Sequence, residues 1–177
     1  MTKFVLSALV GLLALGLVAG THTAQGAPAA PMRCTGANGV WDDTDIVHLT
    51  KQGAGTLTMG WTAHAQMTLT CTTGASTTTQ VAQIEQRMQV HIMANGVATQ
   101  GQGQVRISVG NRKHVFTGRY KGTTTVNDGA LSLSGDFNAD GDVDGADFLL
   151  MRQHGTVDRG TRQFTGFYID DIIIGLK

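Results

Sequence analysis

The chain has 177 residues with 13 lysines and arginines against 13 aspartates and glutamates, so its zero net charge directs it to neither nucleic acid nor a membrane surface. Aromatic residues make up 6%, too few for the two aromatic girdles of an outer-membrane barrel. The 24 glycines suit turns, bulges and sharply curved strands.

At the N-terminus, MTKFVLSALVGLLALGLVAG places a positive Lys3 before an apolar run that begins at Phe4 and ends near Ala19. This reads as a secretory signal peptide over 1–26, because a run of about 16 residues is short for a membrane span and small residues follow it. The mature chain, 27–177, is then one domain of about 150 residues, enough for a real core. Export sets the reading of the only two cysteines, Cys34 and Cys71. A disulfide is the default in an oxidising compartment, and two cysteines without a histidine cluster make no case for zinc.

Alternation dominates the body of the chain. From residue 57 to 71 the odd positions read Leu57, Met59, Trp61, Ala63, Ala65, Met67, Leu69 and Cys71, between polar or glycine even positions. That predicts a long strand with one buried face, or two strands joined at a bend. Ala82, Ile84, Met88, Val90 and Ile92 repeat the pattern on even positions, and Asn95-Gly96 reads as a hairpin turn. Val105, Ile107 and Val109 follow, then a turn at Asn111, then Phe116, Gly118 and Tyr120 on one side. Asn127-Asp128-Gly129 turns the chain again, before Leu131 and Leu133. Short turns between long strands predict an antiparallel meander, closing as a barrel or folding as a sandwich.

The stretch GDFNADGDVDGADFLL interrupts this pattern. Asp136, Asn138, Asp140, Asp144 and Asp147 occupy positions one, three, five, nine and twelve of a twelve-residue loop. Gly141 stands at position six, and the Asp142 carbonyl would fill position seven. This is the oxygen spacing of a calcium loop, with glycine at the bend that a side chain would obstruct. It predicts one structural calcium ion on Asp136, Asn138, Asp140, Asp142, Asp144 and Asp147.

The residues from Gly135 to Gly155 resemble one repeat of a type I dockerin, an EF-hand-like calcium segment. The resemblance implies a helix after the loop, starting at Phe148, Leu149 and Leu150 and ending near Gly155. The fold expectation is accordingly a β domain carrying a short calcium loop-helix insertion at 135–155. Dockerins pair two repeats to bind cohesin, and no second loop of this spacing occurs, so the resemblance does not extend to a cohesin partner. Its aspartate at position twelve implies a weak site of the extracellular type. No family is recognised in the rest of the chain.

The last segment, from about residue 161 to 174, carries apolar residues on both parities and reads as a strand buried on both faces. Its FTGFY at 164–168 repeats the FTGRY of 116–120 in phase. Arg106, Arg112, Lys113, Arg119 and Lys121 gather in two adjacent strands and form a candidate patch for an anionic ligand. His48, His64 and His91 lie on polar parities, with no two at a ligand spacing on one strand. There is no nucleophile elbow, phosphate loop or dinucleotide fingerprint.

The expectation is therefore a secreted, non-enzymatic β domain for extracellular or cell-surface binding or assembly, its partner a protein or a polysaccharide, with the periplasm as another location. The alternatives are a soluble barrel that carries a small apolar ligand among Met59, Trp61, Met67, Met88, Phe116 and Tyr120, and an accessory module of a carbohydrate-active system.

Overall fold

The structure, a computed structural model, describes residues 30–42, 47–51, 56–93, 98–127, 129–140 and 147–176. The expected signal peptide and the Asn95-Gly96 turn lie outside these residues. Nine strands follow in order: β1 (Met32–Val40), β2 (Val47–Lys51), β3 (Leu57–Thr73), β4 (Ser76–Ile92), β5 (Thr99–Val109), β6 (Arg112–Val126), β7 (Ala130–Asp140), β8 (Phe148–Asp158) and β9 (Phe164–Leu176). Every pairing is antiparallel, and β3 to β9 form a meander of sequential neighbours.

The meander closes into a ring. β1 pairs with β9 on one side and, at Met32–Thr35, with Thr70–Thr73 of β3 on the other. β2 continues along β3 at Leu57–Trp61, with a bridge from Trp41 to Ala65 between them. Closure removes most of the free edge that an open sheet would expose. The expected alternation is realised: Met59, Trp61, Ala63, Ala65, Met67, Leu69 and Cys71 of β3 and Ala82, Ile84, Met88, Val90 and Ile92 of β4 are all buried inside. The outward positions of the same strands are threonine, glutamine, histidine, arginine and glutamate, apart from Gly60 and Val81. Two-residue turns at Gly74-Ala75 and Gly110-Asn111 join β3 to β4 and β5 to β6, each with a glycine at positive φ.

Two expectations need correction. The helix implied after the calcium loop is absent: residues 148–158 are β8, paired along its length to β7 and β9. Leu149, Met151, Gln153, Gly155 and Val157 face inward. With Gln153 and Gly155 counted as interior, the period is two, and pairing with a neighbour on each side outweighs local helix preference.

β9 is likewise not buried on both faces. Its register against β8 shifts between Thr156 and Val157 and again between Arg152 and Gln153. Each shift is a bulge that adds one residue to β9, Thr165 in the first case and Asp170 in the second, and each reverses which parity faces the core. Phe164, Phe167, Ile169, Ile172 and Ile174 are all interior through these two reversals. The two FTGxY segments are consequently not equivalent: Tyr120 is 1% exposed and Tyr168 42%.

Candidate functional site

The proposed calcium ligands begin on a strand rather than in a turn. Asp136 and Asn138 project from the outer face of β7, and Asp140 is its last residue. At about 3.4 Å per residue the Cα atoms of Asp136 and Asp140 stand about 14 Å apart, whereas calcium holds its oxygens at about 2.5 Å. Asp136 to Asp140 are thus extended backbone in this structure. Asp142 and Asp144 lie outside the described residues. Asp147 is described and approaches His114, with His114 Nδ1 3.6 Å from its Oδ2. Among the described residues, no three histidine, cysteine, aspartate or glutamate side chains are grouped as a metal would require.

Asp136 has a different environment instead. Lys121, Asp136, Arg152 and Asp171 are successive register partners on β6, β7, β8 and β9. Arg152 Nε lies 3.4 Å from Asp136 Oδ1, and Arg152 Nη1 lies 3.6 Å from Asp171 Oδ2. Alternating charges thus run around the outer wall. Each exposed pair contributes little stability, but the row favours this pairing register over a slipped one.

The basic residues fall into two groups. Arg106 lies 3.7 Å from Glu85 and, with Lys113, borders an outer groove that also holds His64 and His114. Arg112 follows the Gly110-Asn111 turn, beyond that groove. Arg119 lines a separate groove of about 680 Å³ on the outer wall of β4, β5 and β6, together with Arg87, Gln89, Gln102, Gln104 and Thr117. A second depression, lined by Arg119, Lys121 and Asn138, adjoins it through Thr117 and Gly118. Among the described side chains, no acidic one lines either depression.

The floor of the large groove is made by two glycines. Gly103 and Gly118 are register partners, and a Cβ on either would run into the interior packing, at Met88 for Gly103 and at Ala139 for Gly118. Without side chains there, the two strands sit tight on the core. Gln102, Gln104, Thr117 and Arg119 stand on both sides of the glycines as walls. The sequence reading missed Arg87, because it lies on β4, separated by β5 from Arg119. Pairing β4 with β5 and β5 with β6 through the turns would have found it.

The interior is aromatic at one end. Trp41 stacks on Phe167, Phe167 on Phe164, and Trp61 meets both phenylalanines edge to face. Met59, Met67, Met88, Phe116 and Tyr120 are buried in the same core. Several polar groups join them. Trp61 Nε1 donates to Gln86 Oε1 at 3.1 Å, whereas Gln86 Nε2, both amide atoms of Gln153, Trp41 Nε1 and the Tyr120 hydroxyl are buried without a hydrogen-bond partner. Burial raises the Tyr120 pKa, with the Asp136 charge adding to the effect.

His48, His64 and His91 stay on the outer wall, as their parities predicted. His154 Nδ1 lies 2.7 Å from Asp170 Oδ1, and its ring stacks on Tyr168. Cys34 and Cys71 form the expected disulfide. No family model, no curated protein and no solved structure matches this chain.

Proposed function

We propose that the mature chain is a secreted, non-enzymatic β-barrel whose outer wall binds an acidic polysaccharide, in binding or assembly at the cell surface or outside the cell. The groove over Gly103 and Gly118 carries this reading. Arg119 supplies charge for carboxylate or sulfate groups, with Arg87 beside it, whose Nε donates to Glu85 Oε1 at 2.6 Å, and Gln89, Gln102 and Gln104 supply both donors and acceptors for sugar hydroxyls. Lys121 extends the positive track. The groove contains no aromatic ring, so stacking against nucleic-acid bases has no support there. The apolar leader and the disulfide both fit an exported protein.

Immobilised heparin tests the proposal against uncharged dextran. The mature chain is expected to be retained on heparin at low salt, released as salt rises, and not retained on dextran. The double variant Arg87→Gln/Arg119→Gln is expected to elute at clearly lower salt. An unretained wild type, or a variant that elutes with it, contradicts the reading.

Calcium remains a proposal of the sequence, centred on Asp140, Asp142, Asp144 and Asp147 at the β7–β8 connection. Asp136 and Asn138 fit it less well, because β7 holds them in extended backbone and Arg152 pairs with Asp136. Calorimetry with calcium separates the two parts: Asp144→Ala is expected to abolish binding, and Asp136→Ala to leave most of it. No binding by the wild type would remove calcium from the account.

A second reading, carriage of a small molecule inside the ring, draws on the unpartnered interior groups of Gln86, Gln153, Trp41 and Tyr120. These groups fit a neutral guest with oxygen acceptors better than an apolar one. Native mass spectrometry of the purified chain would show such a guest as excess mass, and a bare mass would count against it.

A further inference from the structure

The ring is closed, yet it leaves stretches of strand edge open, one of them on β4. β4 pairs with β3 over its whole length, down to Thr73 and Ser76 at the turn. β5 ends earlier: its last pair with β4 is Ala82 with Val109, and the Gly110-Asn111 turn follows. Among the described residues, Ser76 to Val81 therefore have a strand neighbour on one side only.

The pairing fixes which backbone groups face outward. Thr73 and Ser76 close a two-residue hairpin, so they exchange hydrogen bonds, and the pattern alternates from there. The Cα atoms of Cys34 and Cys71 are 4.0 Å apart, the close spacing of a pair that does not exchange hydrogen bonds. Cys71 then bonds to Thr78 across the β3–β4 ladder, in agreement with the count from the turn. Thr77, Thr79 and Val81 consequently turn their N–H and C=O groups away from β3. No described backbone group pairs with them.

Exposed edges of soluble proteins are usually blunted by lysine, proline, a bulge or a covering loop. The segment STTTQV has no charge and no proline, and its β-branched residues favour extended pairing. Val81, at its end, is 54% exposed.

We propose that two copies of this chain pair antiparallel through Thr77–Val81, about a two-fold axis at Thr79. Thr77 then faces Val81 of the second copy and Thr79 faces its own counterpart, so about six hydrogen bonds satisfy all the outward groups. The uncharged segment brings the copies together without like-charge repulsion. Each copy uses the same edge, so association stops at a dimer.

Sedimentation of the mature chain from about 10 μM to about 1 mM tests this, the range in which a contact of one short strand pair is expected to populate. The mass is expected to rise toward twice that of one chain. Thr79→Pro removes the donor at the axis without removing a bond to β3, and is expected to stay monomeric with an unchanged circular dichroism spectrum. Thr79→Lys sets two ammonium groups face to face, and its dimer is expected to be lost at low salt and partly recovered at high salt. A wild type that is monomeric throughout, or a dimer that both substitutions leave intact, overturns the proposal.

Discussion

Cys34 and Cys71 are register partners, and the bond between their sulfurs crosses the pairing of β1 with β3 that closes the ring. Only four residues of β1, Met32 to Thr35, make that pairing. The disulfide spans a sequence separation of 37, for which chain entropy predicts about 3 to 4 kcal/mol of stabilisation. The double variant Cys34→Ser/Cys71→Ser is expected to lose about that much in urea unfolding. A loss below about 1 kcal/mol would mean that β1 is held mainly by β9.

Tyr120 and Gly135 meet diagonally across β6 and β7, whose register pairs Tyr120 with Phe137 and Gly135 with Gly122. A Cβ on Gly135 would lie 2.6 Å from Tyr120 Cζ and 2.5 Å from the Lys121 carbonyl oxygen. Gly135→Ala is therefore expected to destabilise by about 1 to 3 kcal/mol through overpacking. In a Tyr120→Leu background the cost is expected to fall without vanishing, because the carbonyl contact remains. Strictly additive losses would contradict the contact.

The bulge at Thr165 sets Phe167 inward and Tyr168 outward. Phe167 stacks on Trp41 and Phe164 inside the core, so Phe167→Ala is expected to lose about 3 to 5 kcal/mol. Tyr168 lies on the outer wall, and Tyr168→Ala is expected to lose under about 1 kcal/mol. If Tyr168 proved the costlier, β9 would follow the unbroken alternation that FTGFY suggests.

The Tyr120 phenol gives an alkaline signature. Its folded pKa is raised by burial above the unfolded value of about 10, so the stabilising difference is complete below that pH. Above about pH 10 the unfolded chain releases the proton while the folded chain retains it, and stability falls. Tyr120→Phe is expected to remove this part of the alkaline slope in melts at pH 9 to 11. At neutral pH it is expected to be neutral or mildly stabilising, since the hydroxyl has no partner. An identical alkaline slope in both proteins would contradict the assignment.

Much of the wall was legible in the sequence because the side-chain period of a strand is two. The runs at Met59–Cys71, Ala82–Ile92 and Val105–Val109 point where alternation puts them. Reading failed where alternation is interrupted. Thr165 and Asp170 are bulge residues that only the pairing with β8 exposes, so β9 looked apolar on both faces. Gln153 and Gly155 hid the period of β8, and a local motif then suggested a helix. Of the candidate site, Arg119 and Lys121 were named from the sequence, but Arg87 and the glutamines were not. Neighbourhood across strands depends on register, and register is not a local property.

The most direct test of the outer-wall site is a titration of the isotope-labelled mature chain with a heparin-derived oligosaccharide, followed by nuclear magnetic resonance. The account predicts saturable shifts at the backbone amides of Gly103 and Gly118 and at the side-chain amides of Gln102 and Gln104. Shifts confined to other parts of the barrel, or none at all, would contradict it.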